Sequence, residues 1–129
     1  MTPITTSERK SLILFAHGAR AASWSAPFER LRDATAARLP EVDVALAFLE
    51  LMEPRLPAEV ARLAADGIGA ITIVPVFLGQ GGHLLRDLPL LVEQLHRDHP
   101  AIAITVAGAV GEDPGVLEAM TRYCVGALV

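Results

Sequence analysis

The chain has 129 residues, of which 52% are apolar and 5% aromatic, and a formal net charge of −4. That length holds one domain with a real core, and without a basic block or aromatic platforms it excludes a nucleic-acid binder. No apolar run approaches the roughly 18 residues of a membrane helix, so a mean hydropathy of +0.41 points to a heavily buried parallel sheet with some apolar surface left for a partner.

Residues 1–10 are polar, with three Thr and one Ser, and read as a flexible tail ahead of a single domain over 11–129. Arg9 and Lys10 before SLILFA imitate a signal-peptide start, but the apolar run is too short. The lone Cys124 suits a reducing compartment, and the expectation is a cytoplasmic protein. Ser11–Ala16 is a near-continuous apolar run, as expected of a strand buried on both faces, and His17-Gly18-Ala19-Arg20 turns out of it. A small-residue loop with Trp24 follows. Pro27 then opens a helix with Phe28, Leu31, Thr35 and Leu39 facing inward.

Val42–Leu49 is the second strand, with Glu50 at its end. A second helix over Pro57–Ala65 turns Val60, Leu63 and Ala64 inward and stops at Asp66-Gly67. Ala70–Leu78 is the third strand, followed by the glycine loop Gly79-Gln80-Gly81-Gly82 and His83. Asp87 as N-cap and Pro89 in the first turn start the third helix, with Leu88, Leu91, Val92, Leu95 and His99 on one face. The fourth strand is Ala101–Ala107. Asp113-Pro114 opens the last helix, whose buried face is expected to carry Val116, Leu117, Met120, Cys124 and Leu128. Four β-α repeats with short connections predict an α/β fold, a four-stranded parallel sheet with helices on both faces.

Ligands of such a sheet bind outside the carboxyl ends of its strands, near the switch in strand order. Four residues reach that edge: His17, Glu50, His83 and Glu112. Strands one and three are expected side by side, bringing His17 and His83 toward one cleft. Two imidazoles and a carboxylate suit a borderline divalent metal, and the same groups are bases near neutral pH. Arg20 and Arg86 each follow a histidine by three positions and can grip an acidic ligand, or serve only in surface salt bridges. Glu112 reads as a helix-start carboxylate, and Cys124 as core. The sequence carries no GxxxxGK[ST], no GxGxxG and no GxSxG, which removes the P-loop, dinucleotide and serine-hydrolase routes.

At these residues the chain closely resembles the short CbiX-type sirohydrochlorin chelatases of the class II chelatase superfamily. The resemblance is carried by AHGAR at Ala16–Arg20, AFLELMEP at Ala47–Pro54, VPVFLGQGGHLLRDLP at Val74–Pro89 and AGAVGEDP at Ala107–Pro114, in the expected order. Ala19 departs from the Ser usual after His-Gly. The resemblance implies one chelatase-like lobe that inserts a divalent metal into sirohydrochlorin, a tetrapyrrole of cobalamin or siroheme biosynthesis. It implies Co2+ foremost, or Fe2+ or Ni2+, as substrate, and no organic cofactor. His17 and His83 would handle the metal and accept protons, with Glu50 assisting. Arg20, Arg86, Gly81 and Gly82 would bind the macrocycle. Because longer relatives place it between two lobes, a homodimer is expected. A non-catalytic metal or tetrapyrrole carrier is the alternative.

Overall fold

Alternating apolar and β-branched runs between helical segments produce the order β1 (Lys10–Ala16), α1 (Ala26–Arg38), β2 (Asp43–Phe48), α2 (Leu56–Ala65), β3 (Ala70–Pro75), α3 (Gly82–Asp98), β4 (Ala103–Val106) and α4 (Pro114–Gly126). The computed structural model describes residues 9–79 and 82–128, and of residues 82–85 it describes the backbone alone. Short 3-10 turns at Ala22–Ser25 and Val110–Glu112 precede α1 and α4. All strands are parallel, in the order β2-β1-β3-β4. The chain winds outward from β1 in both directions, so the switch point lies between β1 and β3. Phe15 pairs with Pro75 there, so strands one and three are neighbours as expected.

β1 is buried on both faces because helices lie on either side of it. Ile13, Phe15, Ala45, Ala47, Ile71, Ile73 and Ile104 join Leu56, Val60 and Leu63 of α2 and Leu88 and Leu95 of α3 in the larger core. Leu14, Ala16, Leu46 and Phe48 form the opposite face, with Phe28 of α1 packed on it.

Several expectations change. α3 begins at Gly82, so Asp87 and Pro89 stand inside it rather than at its start. A strongly amphipathic helix with Leu88 and Leu95 in the core extends past a local cap signal. β3 ends at Pro75, three residues before the apolar run does; the Val76 N–H still donates to the Phe15 carbonyl at 2.8 Å, and the run beyond it belongs to the edge loop. α1 covers the sheet loosely, with Leu31 and Leu39 exposed instead of inward. The largest departure is α4. Asp113 caps it, accepting from the N–H groups of Gly115 and Val116 at 3.0 and 3.2 Å, as read. Yet no residue of α4 is buried, and Cys124 is exposed rather than core. Periodicity fixes which face is apolar; it does not supply the surface that covers it.

Candidate active site

The β1 exit builds the site. Ala16 lies opposite Phe48 in the ladder, so the two residues leaving each strand meet. The Leu49 N–H donates to the Ala16 carbonyl at 2.9 Å, and the Glu50 N–H donates to the His17 carbonyl at 3.1 Å. The β2 exit is therefore stitched onto the His17-Gly18 turn. Gly18 is required there. Its φ is +103°, and a Cβ would stand 1.8 Å from the Glu50 carbonyl oxygen. Leu51 follows in a left-handed conformation with φ 68°, and a cis Glu53-Pro54 peptide returns the chain so that the Phe48 N–H donates to the Pro54 carbonyl at 2.9 Å.

This stitching places His17 Nε2 3.4 Å from Glu50 Oε2, with both side chains about half exposed at 53%. Phe77, from the end of β3, stands edge-on to the His17 ring at 6.1 Å between centroids and edge-on to Phe15 at 5.9 Å. The imidazole is thus held from below by an aromatic wall and from one side by a carboxylate, with its remaining surface open. The β3 exit is tied in turn to the β4 exit, since the Gly111 N–H donates to the Phe77 carbonyl at 2.8 Å.

Among the described residues it is His17 and Glu50 that are brought together at this edge. The backbone of His83 is placed at the second residue of α3, directly after the β3 exit; its side chain, and Gly81 entirely, lie outside the described residues. Gly82 opens α3. Arg20 and Arg86 are both exposed, and Glu112 is exposed on the turn before α4. Among the described residues no group of three His, Cys, Asp or Glu side chains converges as a metal cage. Trp24 lies tilted on Phe28 at 4.6 Å, which anchors it to α1. A groove of 340 Å³ lies elsewhere, along the outer edge of β2 between Val44, Leu46, Glu59 and Arg62, and includes neither His17 nor Glu50.

Sequence reasoning missed one polar device. Glu59 of α2 is buried, with its side chain 7% exposed, and receives the Arg62 guanidinium at 2.5 Å; Arg62 also reaches Asp66 at 3.1 Å and Asp43 at 3.8 Å. The hydrogen bond to Glu59, followed by the charges around it, raises the Arg62 pKa above its ordinary value. The Glu-x-x-Arg spacing on α2 is the signal that could have found it.

The sequence matches the CbiX family over residues 11–124. This chain belongs to the CbiX family. It is 32% identical over 92 residues to the sirohydrochlorin cobaltochelatase of Methanocaldococcus jannaschii, a match covering 70% of this chain and 63% of that protein. The chain spans 57–64% of the first curated relatives it matches. The solved structure of a CbiX protein from Marinobacter aquaeolei VT8 is 34% identical, covers 92% of this chain and 97% of its own, and superposes with a TM-score of 0.82. SirB from Bacillus subtilis, solved with cobalt, shares the fold at 22% identity and a TM-score of 0.77. The match covers 88% of this chain but 49% of SirB, so one copy of this fold fills half of that chain. The four-stranded parallel α/β domain of this chain is thus shared by both solved structures.

Proposed function

We propose that this protein is a sirohydrochlorin chelatase that inserts a divalent metal, cobalt foremost with iron and nickel as further candidates, into the tetrapyrrole of cobalamin or siroheme biosynthesis. The observation that carries the reading is the half-exposed His17–Glu50 pair at the open carboxyl edge of the sheet, 3.4 Å apart, in a chain of the CbiX family. A metal entering a tetrapyrrole must shed water, and two pyrrole protons must leave as it enters. Neutral imidazole can hold the metal loosely or accept a proton. When His17 takes a proton, Glu50 balances the charge it gains. A closed four-ligand cage would retain the metal, whereas a site with few ligands and an open side can release it.

His83 is the second imidazole in this reading, with its backbone at the second residue of α3. Arg20 and Arg86, both exposed, grip the substrate's carboxylates, with Gly81 and Gly82 offering close backbone approach. The working form is a homodimer: the fold fills half of the longer SirB chain, so two copies make the equivalent of two lobes. The site of action in this reading is the cytoplasm.

The test follows the absorbance of sirohydrochlorin mixed with Co2+ and protein. Catalysis raises the rate above spontaneous insertion, and His17→Ala and His83→Ala each lower it by roughly 10²-fold or more. A carrier binds metal or macrocycle without exceeding the spontaneous rate, and that result rejects the chelatase reading. Parallel runs with Fe2+ and Ni2+ rank the metals.

A further inference from the structure

The turn at the end of β4 reaches the β3 exit through a glycine. Ala107 makes the last ladder contact, its N–H donating to the Ile73 carbonyl at 2.9 Å. Beyond it Ala109 is buried, and the Glu112 and Asp113 N–H groups donate to the Ala109 and Val110 carbonyls at 3.0 and 3.1 Å. These bonds close Val110–Glu112 into a short 3-10 turn, and Asp113 then caps α4. Gly111 of this turn lies against the backbone of Leu78. A Cβ there would stand 2.1 Å from the Leu78 carbonyl oxygen and 2.4 Å from the Leu78 Cα. Only glycine allows so close an approach.

The same glycine holds the residue before Leu78. The Gly111 N–H donates to the Phe77 carbonyl at 2.8 Å, and one residue earlier the Val76 N–H donates to the Phe15 carbonyl, also at 2.8 Å. Phe77 is therefore gripped between β1 and the β4 turn. Its ring stands edge-on to the fully buried Phe15 and edge-on to His17, the latter with the planes at 86°. His17 needs that wall. The imidazole is half exposed, and its ion pair with Glu50 spans 3.4 Å; a solvated pair of this kind restrains a side chain weakly. The perpendicular aromatic contact blocks rotation on a second side.

We infer that Gly111 is a positioning residue for His17, acting from the β4 turn through Phe77. The effect on rate rests on the chelatase reading above; the relay of contacts does not. A methyl at Gly111 must push the Leu78 backbone back by about 1 Å, from 2.1 Å to the 3.0 Å below which real Cβ contacts essentially never fall. Leu78 adjoins Phe77, so the ring shifts with it, and His17 loses the wall that sets its plane. A displacement of that size costs on the order of 10²-fold in rate even when it originates far from the chemistry. The loss falls on kcat rather than KM, because His17 handles the metal and the proton while other groups grip the macrocycle.

The experiment measures kcat and KM for Co2+ insertion into sirohydrochlorin, together with NMR cross-relaxation between the His17 and Phe77 ring protons of the metal-free full chain. Gly111→Ala and Phe77→Leu are each expected to lower kcat roughly tenfold or more with KM unchanged, and Gly111→Ala to lose the ring-to-ring signal. Phe77→Tyr keeps the ring and should keep most of the parent's kcat. The double variant Gly111→Ala/Phe77→Leu is expected to be no slower than Phe77→Leu alone, since the two residues act in series. Losses that multiply overturn the relay, as does a ring-to-ring signal that survives Gly111→Ala. Gly108→Ala, whose Cβ meets nothing within 4 Å, is the control and should match the parent. Should Gly111→Ala fail to fold, the parent's Gly111 amide and the two Phe77 variants decide. The amide must exchange with deuterium at least roughly tenfold more slowly than in denaturant, and Phe77→Leu must lose the kcat that Phe77→Tyr keeps; failure of either refutes the proposal. If the parent never exceeds the spontaneous insertion rate, the chelatase reading falls, and the relay is judged by the ring-to-ring signal alone, which Gly111→Ala must still abolish.

Discussion

Gly18→Ala tests the site's construction most directly. A methyl at this position meets the Glu50 carbonyl oxygen at 1.8 Å, where even 3.0 Å is the shortest contact real Cβ atoms show. One group must therefore retreat by roughly 1 Å, and both belong to backbone. The retreat breaks or lengthens the hydrogen bond from the Glu50 N–H to the His17 carbonyl, worth about 1 kcal/mol. Holding a non-glycine residue at φ +103° adds about 1–3 kcal/mol. Expected is a loss of roughly 2–4 kcal/mol in urea unfolding, measured against Gly108→Ala, where a Cβ meets nothing within 4 Å. A shift of about 1 Å between His17 and Glu50 is also enough to cost on the order of 10²-fold in rate, read as Co2+ insertion into sirohydrochlorin. If Gly18→Ala unfolds with its parent and keeps its rate within twofold, the stitched-turn account of this site is wrong.

Glu50→Gln removes the charge but keeps the shape; because the pair is half exposed, stability should move by no more than about 0.5 kcal/mol while insertion slows roughly tenfold or more. Arg62→Ala strands the buried Glu59 carboxylate and should cost about 1–3 kcal/mol in urea unfolding without altering the metal-binding stoichiometry. Leu63→Ala empties a fully buried position of α2, and a loss of about 2–5 kcal/mol is expected. With the metal as substrate rather than structural support, an excess of chelator should leave the melting temperature unchanged; a large drop would argue for a resident ion.

The parallel sheet and the pairing of β1 with β3 were legible because both rest on strong, long-range rules. Four buried apolar runs separated by helical segments permit few topologies other than a parallel sheet with right-handed crossovers, and residues leaving β1 and β2 in register must meet. His17 and Glu50 are therefore readable as neighbours once Ala16 is opposite Phe48. Local signals served less well. Asp87 and Pro89 have the chemistry of a helix start, but the core contacts of Leu88 and Leu95 favour a helix running through them from Gly82. The stripe on α4 was legible as a stripe and not as an exposed one, since periodicity marks an apolar face without supplying the surface that covers it. Glu59 escaped notice because a carboxylate on a helix is ordinarily solvated; only the fold reveals that Asp43 and Arg62 converge on it.

The local energetics of the β2 exit argue that its shape is kept for a ligand. Leu51 holds φ 68°, a left-handed conformation that costs a leucine about 1–2 kcal/mol. It gains little in return, since its side chain is 49% exposed. The His17–Glu50 pair that this bend delivers is half exposed as well, and such pairs return about 0–1 kcal/mol. A more relaxed loop with Glu50 in solvent would be at least as stable. The strained bend persists because the Leu49 and Glu50 N–H groups are bonded to the Ala16 and His17 carbonyls, which holds carboxylate and imidazole in one geometry before any substrate arrives. Strain retained beside a converged acid–base pair is the signature of preorganisation, and here it falls on the residues that would receive the metal.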